Sequence, residues 1–185
     1  MRFILSGKGV PPSHYQKQKV VKDYAKKYAL KILIETGTYL GNMIKSTLRS
    51  FTEIYSIELD PIFYERAKRK FAKYNHIHII LGDSGEKLKE ILEPIQEPVL
   101  YWLDAHYFGG ITGRGIEYTP IIREIRQILE HKNLNDIILI DDARLFDGTN
   151  DYPTLEQLKA YVDANSPNYN MKVEKGIIIL VGESR

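Results

Sequence analysis

Five short apolar runs, each delivering a carboxylate at its end and each followed by a helix-like segment, constrain this 185-residue chain more than any other feature. They fall at 31–35, 54–58, 77–81, 99–104 and 137–141. The runs are rich in Ile and Leu and lack polar alternation, which is the pattern of strands covered on both faces. Helical segments are predicted at 41–51, 61–74, 84–95, 119–131 and 154–162. Pro61 suits a first helical position. Ser84 is a cap candidate, with Leu88, Ile91, Leu92 and Ile95 following at helical spacing. Ahead of the first strand, Ser13 follows Pro11-Pro12 and can cap a helix running to about residue 28.

Alternation of this length predicts a doubly wound α/β sheet with right-handed crossovers. The end of the chain differs. Residues 171–174 and 177–181 read as two strands joined at Lys175-Gly176, so the last strand should run antiparallel to its neighbour. The expected organisation is one domain over residues 1–185, with 1–30 as an N-terminal helical extension.

Ligands of such sheets bind beyond the carboxyl ends of the strands. Those ends carry Glu35, Glu58-Leu59-Asp60, Gly82-Asp83-Ser84, Asp104-Ala105-His106 and Asp141-Asp142. Carboxylates are rarely buried unpaired, because removing the charge from water is costly. Such a rim needs cations or many hydrogen-bond donors.

Composition narrows the partners. Lys and Arg total 26 against 24 Asp and Glu, too even a balance for a main partner in nucleic acid or a membrane surface. With no cysteine, disulfides, thiolate nucleophiles and Cys-ligated zinc are excluded. No apolar run approaches the ~20 residues of a membrane helix. The apolar start is cut short by Ser6-Gly7-Lys8-Gly9, against a secretory signal, and the expected compartment is the cytoplasm. A phosphate-led ligand fits poorly. The first turn has Gly37 and Gly41 but not G-x-G-x-x-G, and the P-loop pattern is absent. A ligand with a ribose, an adenine and a cationic end suits the rim better. Glu58 can take two ribose hydroxyls, Asp83 can accept from an adenine amine, Gly37 allows close approach to backbone, and Glu35 can face an ammonium. That ligand is S-adenosylmethionine.

Glu35-Thr-Gly-Thr-Tyr-Leu-Gly41, Tyr55-Ser-Ile-Glu-Leu-Asp60, Gly82-Asp-Ser84, Leu103-Asp104 and Ile140-Asp-Asp142 together resemble the ordered motifs of class I S-adenosylmethionine-dependent methyltransferases. The likeness runs from about residue 31 to 181. It implies a Rossmann-like methyltransferase fold with a mostly parallel seven-stranded sheet and an antiparallel C-terminal strand. It also implies cofactor contacts from Glu35, Gly37, Tyr39, Glu58, Asp83, Ser84 and Asp104. A narrower likeness is to cation-dependent O-methyltransferases of the catechol and macrocin type, whose metal aspartates match Asp104, Asp141 and Asp142. It implies Mg²⁺ or another divalent cation. The catechol-type lysine three residues after the first metal aspartate is Tyr107 here. His106 serves instead as base in this reading, and Asp104 is catalytic through the cation that it, Asp141 and Asp142 would hold against the substrate oxygen. The interval to Asp141 is longer than in those families and contains a glycine-rich loop at 109–115, a candidate lid in which Arg114 could meet an acidic group.

The implied reaction is methyl transfer to a hydroxyl of a small molecule, of sugar, polyol or natural-product type, with no nucleic acid or membrane partner and with an oligomer possible. The competing functions are methylation of protein or nucleic acid, and a non-catalytic cofactor-binding or scaffold protein of the same fold. Simpler structural roles compete at single residues. Asp83-Ser84 can cap a helix, Asp141-Asp142 can cap or pair with Arg144, and Tyr15, Lys17, Lys19 and Lys22 read as a solvated helix face.

Overall fold

Runs of Ile, Leu and Val that leave no polar face become strands only where both sides can be covered, and here they are. The computed structural model describes residues 12–105, 118–131 and 135–182. The strands are β1 (Ile32–Thr36), β2 (Glu53–Glu58), β3 (Ile77–Leu81), β4 (Val99–Leu103), β5 (Ile137–Ile140), β6 (Tyr169–Glu174) and β7 (Ile177–Gly182). The helices are α1 (His14–Lys27), α2 (Asn42–Thr47), α3 (Pro61–Phe71), α4 (Ser84–Leu92), α5 (Ile121–His131) and α6 (Leu155–Asn165), with a 3₁₀ turn at Ala143–Leu145.

The sheet order is β3-β2-β1-β4-β5-β7-β6, with β1 to β5 parallel and β7 antiparallel to both β5 and β6. The expected C-terminal hairpin is present. It closes on Lys175 and Gly176, both at positive φ (52° and 75°), the backbone that a two-residue hairpin turn requires. The strand order reverses between β1 and β4, so the crevice beyond their carboxyl ends is the topological switch point.

Two apolar layers hold the sheet. On one face Val21 and Ala25 of α1, Met43 and Ile44 of α2, and Ala67 and Phe71 of α3 pack on Leu33, Ile54, Leu100, Trp102 and Leu139. On the other, α4, α5 and α6 lay Leu88, Ile125 and Leu158 over Ile34, Ile57, Tyr101 and Ile138. Helix α1 is therefore a packed part of the sheet's cover as well as an N-terminal extension. Its start is fixed by a capping box, in which Gln16 N–H donates to Ser13 Oγ (3.3 Å) and Ser13 N–H donates to Gln16 Oε1 (2.8 Å).

Helix ends differ from the sequence expectation by a turn or less in most cases. The widest gap is α2, which ends at Thr47 although the pattern extends to residue 51. Thr47 Oγ1 bonds back to the Met43 carbonyl (2.8 Å), and this local side-chain bond competes with continued helix.

Candidate active site

The β1 and β2 ends build one half of the strand-end rim. Glu35 is 2% exposed and accepts from Ser56 Oγ at 2.6 Å, and Ser56 is in turn 2.6 Å from Thr38 Oγ1. Burial, with the Asp104 and Glu58 charges nearby, outweighs that hydrogen bond and pushes the Glu35 carboxyl up to about 8. Gly37 follows at φ +86°, and a Cβ there would stand 2.7 Å from the Asp104 carbonyl oxygen. Only glycine lets the turn pass this close to the end of β4. Tyr39 is also left-handed (φ 46°), with its ring 4.8 Å from that of Phe63. Its N–H donates to Glu58 Oε2 (2.7 Å), while Asp60 N–H donates to Glu58 Oε1 (2.9 Å). Glu58 thus ties the β1 turn to the β2 end. Burial raises its pKa, and these backbone donors oppose the shift.

At the β3 end Asp83 is the N-cap of α4. Its Oδ1 accepts from Gly85 N–H (2.8 Å) and its Oδ2 meets Arg123 Nη2 (3.0 Å). The cap is Asp83 rather than Ser84. Ser84 is the first helical residue, and its hydroxyl donates to Glu124 Oε1 at 2.5 Å. Glu124 is 1% exposed, and burial lifts its carboxyl to about 7 against hydrogen bonds from Ser84 and Thr36.

The β4 and β5 ends build the other half. Asp104 and Asp141 begin where the ladder stops, with Asp104 N–H donating to the Thr36 carbonyl (3.1 Å) and Asp141 N–H to the Leu103 carbonyl (3.0 Å). Asp141 Oδ2 accepts from Lys17 Nζ of helix α1. The lysine side chain is 14% exposed and the aspartate side chain 1%. Asp141 Oδ1 accepts the Asp142 N–H (2.8 Å), and Asp142 Oδ1 accepts from Arg144 Nε (3.2 Å). Burial and the Asp104 charge push the Asp141 carboxyl up to about 7, with Lys17 opposing. Burial works against the Lys17 charge, but Asp141, Asp104 and Asp142 together hold its pKa above the ordinary lysine value. Beside these acids lies a partly open cleft lined by Asp104, Thr119, Glu124, Asp141 and Tyr152 over Leu103 and Ile140.

No protein-family model matches this sequence, and no curated protein does. Solved structures do match. An O-methyltransferase of Bacillus cereus, solved with S-adenosylhomocysteine, superposes with a TM-score of 0.68 at 14% identity, over 95% of this chain and 84% of that one. TomG of Streptomyces achromogenes, involved in tomaymycin synthesis and solved with S-adenosylmethionine, gives 0.67 at 14% identity, over 94% and 82%. A candidate rRNA methylase of Clostridium thermocellum gives 0.64 at 12% identity, over 93% and 97%. The chain has the class I methyltransferase fold.

Within that methyltransferase fold, Glu35, Gly37, Tyr39, Glu58, Asp83, Ser84 and Asp104 all lie at the carboxyl ends of β1 to β4 or in the turns that follow them. His106, Tyr107, Arg114 and the 109–115 loop lie outside the described residues. The metal expectation meets a different arrangement. Asp104, Asp141 and Asp142 do come to the β4 and β5 ends, but an ammonium and a guanidinium already bond the last two. Among the described residues no three His, Asp or Glu side chains group to hold a metal ion. A hard dication needs several carboxylate or carbonyl oxygens turned toward one point. Here the positive charge beside Asp141 and Asp142 is already supplied by Lys17 and Arg144. This donor set does not fit Mg²⁺.

Two residues of the rim were missed in the sequence, Lys17 and Glu124. Lys17 leaves the expected solvated face, where Tyr15 and Lys19 remain exposed, and turns into the β5 end. Each had a signal. Lys17 lies one and two helical strides from buried Val21 and Ala25, and Glu124 lies among Ile121, Ile125 and Ile128. A charge on the apolar stripe of a helix is carried inward with the stripe.

Proposed function

We propose that this chain is an S-adenosylmethionine-dependent methyltransferase that transfers the methyl group to a hydroxyl oxygen of a small molecule. The observation that carries the reading is the acidic turn at the switch point, where Glu35, the glycine-only turn at Gly37 and Glu58 meet. The oxygens of Glu58 accept backbone N–H groups, Tyr39 on Oε2 and Asp60 on Oε1, and together keep acceptor capacity for ribose hydroxyls. Asp83 keeps the same capacity beyond its cap and its arginine for an adenine amine. Glu35, buried and raised to about 8, gains most from a cationic neighbour, which would favour its ionised form.

S-adenosylmethionine supplies, when bound, a methyl group activated by a sulfonium. The chain's part is then to hold an acceptor oxygen in line and receive its proton. Positioning of this kind can contribute ~7–11 kcal/mol. The cleft beside Asp104 puts Thr119, Glu124 and Tyr152, all hydrogen-bonding side chains, where an acceptor hydroxyl would enter. His106 is proposed as the proton acceptor, with Asp104, two residues before it, as the other catalytic residue.

Calorimetric titration with S-adenosylhomocysteine tests the reading. The expected result is one site of micromolar Kd, weakened at least tenfold in Glu58→Ala. Absence of heat from folded wild-type protein would reduce the chain to a scaffold with a methyltransferase fold.

A further inference from the structure

We propose that the Lys17 ammonium is the resident cation of the β4–β5 strand end, carried there by helix α1 in place of a divalent metal. Three carboxylates meet at this end, and two organic cations from the chain itself answer them. Lys17 bonds Asp141, and Arg144 Nε bonds Asp142 at 3.2 Å. The lysine is anchored rather than draped. Four and eight residues on, Val21 and Ala25 are buried against the sheet, and the Ser13 capping box fixes the helix start.

Charge and geometry argue together against a metal. A dication at Asp141 would have to expel an ammonium from a nearly buried bond and strand it in a poorly solvated position. The other Asp141 oxygen, Oδ1, would have to be shared with the Asp142 N–H, which holds the left-handed Asp142 (φ 51°) in place. The lysine therefore closes the site to the ion by occupying its ligand and its charge at once. The ammonium, with three donors, also bonds Asp141, an acid on the wall of the cleft that an acceptor oxygen would enter. That last role rests on the methyltransferase reading, whereas the exclusion of metal does not.

Mn²⁺ is the probe, with free ion counted by electron paramagnetic resonance against full-length wild type, Asp141→Asn, Lys17→Met, and Lys17→Met/Asp141→Asn. Wild type should leave Mn²⁺ free up to the millimolar range. Lys17→Met keeps the apolar stem and removes the charge, and should bind one Mn²⁺ at least tenfold more tightly. The added Asp141→Asn change should abolish that gain. Tight 1:1 binding by wild type that is lost in Asp141→Asn would overturn the proposal, as would a Lys17→Met protein that binds no better than wild type. Melting of wild type in Mn²⁺ and in EDTA covers the case of a variant that does not fold. Equal Tm values support the proposal, and a Mn²⁺-dependent rise of several degrees overturns it. S-adenosylhomocysteine titration of the same wild-type samples reports on the methyltransferase reading separately.

Discussion

Glu35 and Asp141 are both buried acids at the carboxyl edge of one sheet, and the chain handles them in opposite ways. At the β1–β2 end Glu35 is met by a hydroxyl, Ser56, and burial raises its pKa to about 8. At the β4–β5 end Asp141 is met by the Lys17 ammonium from the inward face of helix α1. A carboxyl that holds its proton in the folded state is waiting for a positive neighbour. Burial raises the Asp141 carboxyl too, to about 7, but there an ammonium already stands beside it. The first arrangement suits a site for a cationic ligand. The second already has a cation supplied by the chain itself.

The sharpest break in the comparison is Asp141→Ala, which leaves Lys17 without its principal partner. Breaking one side of a buried pair costs ~3–5 kcal/mol, and thermal or denaturant unfolding should show a loss near that range. Next comes Gly37→Ala. The new Cβ would meet the Asp104 carbonyl at 2.7 Å from a backbone with φ +86°, joining the two ends by a clash. The expected loss is ~2–3 kcal/mol, with S-adenosylhomocysteine affinity falling as well.

Glu35→Gln acts through pH. A carboxyl whose folded pKa is raised to about 8 stabilises the fold fully below its unfolded value near 4.5, and loses that contribution as pH rises through 8. Wild type should therefore lose several degrees of Tm between pH 5 and 8.5 that the variant retains. At pH 7 a cationic ligand beside Glu35 should also release close to one proton, seen as a buffer-dependent binding heat in wild type and not in the variant. The smallest effect is expected from Ser13→Ala. Loss of the cap should cost ~1 kcal/mol and fray the start of α1, the turn that carries Lys17. Unfolding midpoints and amide exchange in that turn would measure it.

The sheet was legible because parallel strands buried on both faces leave unbroken apolar runs, and each run ended where its acid began. Even the C-terminal reversal could be read, from Lys175-Gly176 between two such runs. The rim was legible as a set of acids but not as a set of pairs. Asp83 reads equally as a cap or as a ligand group, and in the structure it caps α4 and holds Arg123. Asp141 and Asp142 carry the pattern of metal aspartates, and nothing local to them announces a lysine 124 positions earlier. That information sits in the helical stride from Lys17 to Val21 and Ala25, where a charge on the buried stripe outweighs the basic residues around it. Glu124 in α5 follows the same rule.

The most direct test of the account is hydrogen exchange of backbone amides with and without S-adenosylhomocysteine. The ligand should slow exchange at Gly37, Thr38 and Tyr39 and in the turns after β2 and β3, while the amides of Asp141 and Asp142 change little. Protection confined to the β4–β5 end, or no protection anywhere, would contradict the assignment of the cofactor to the acidic turn at the switch point.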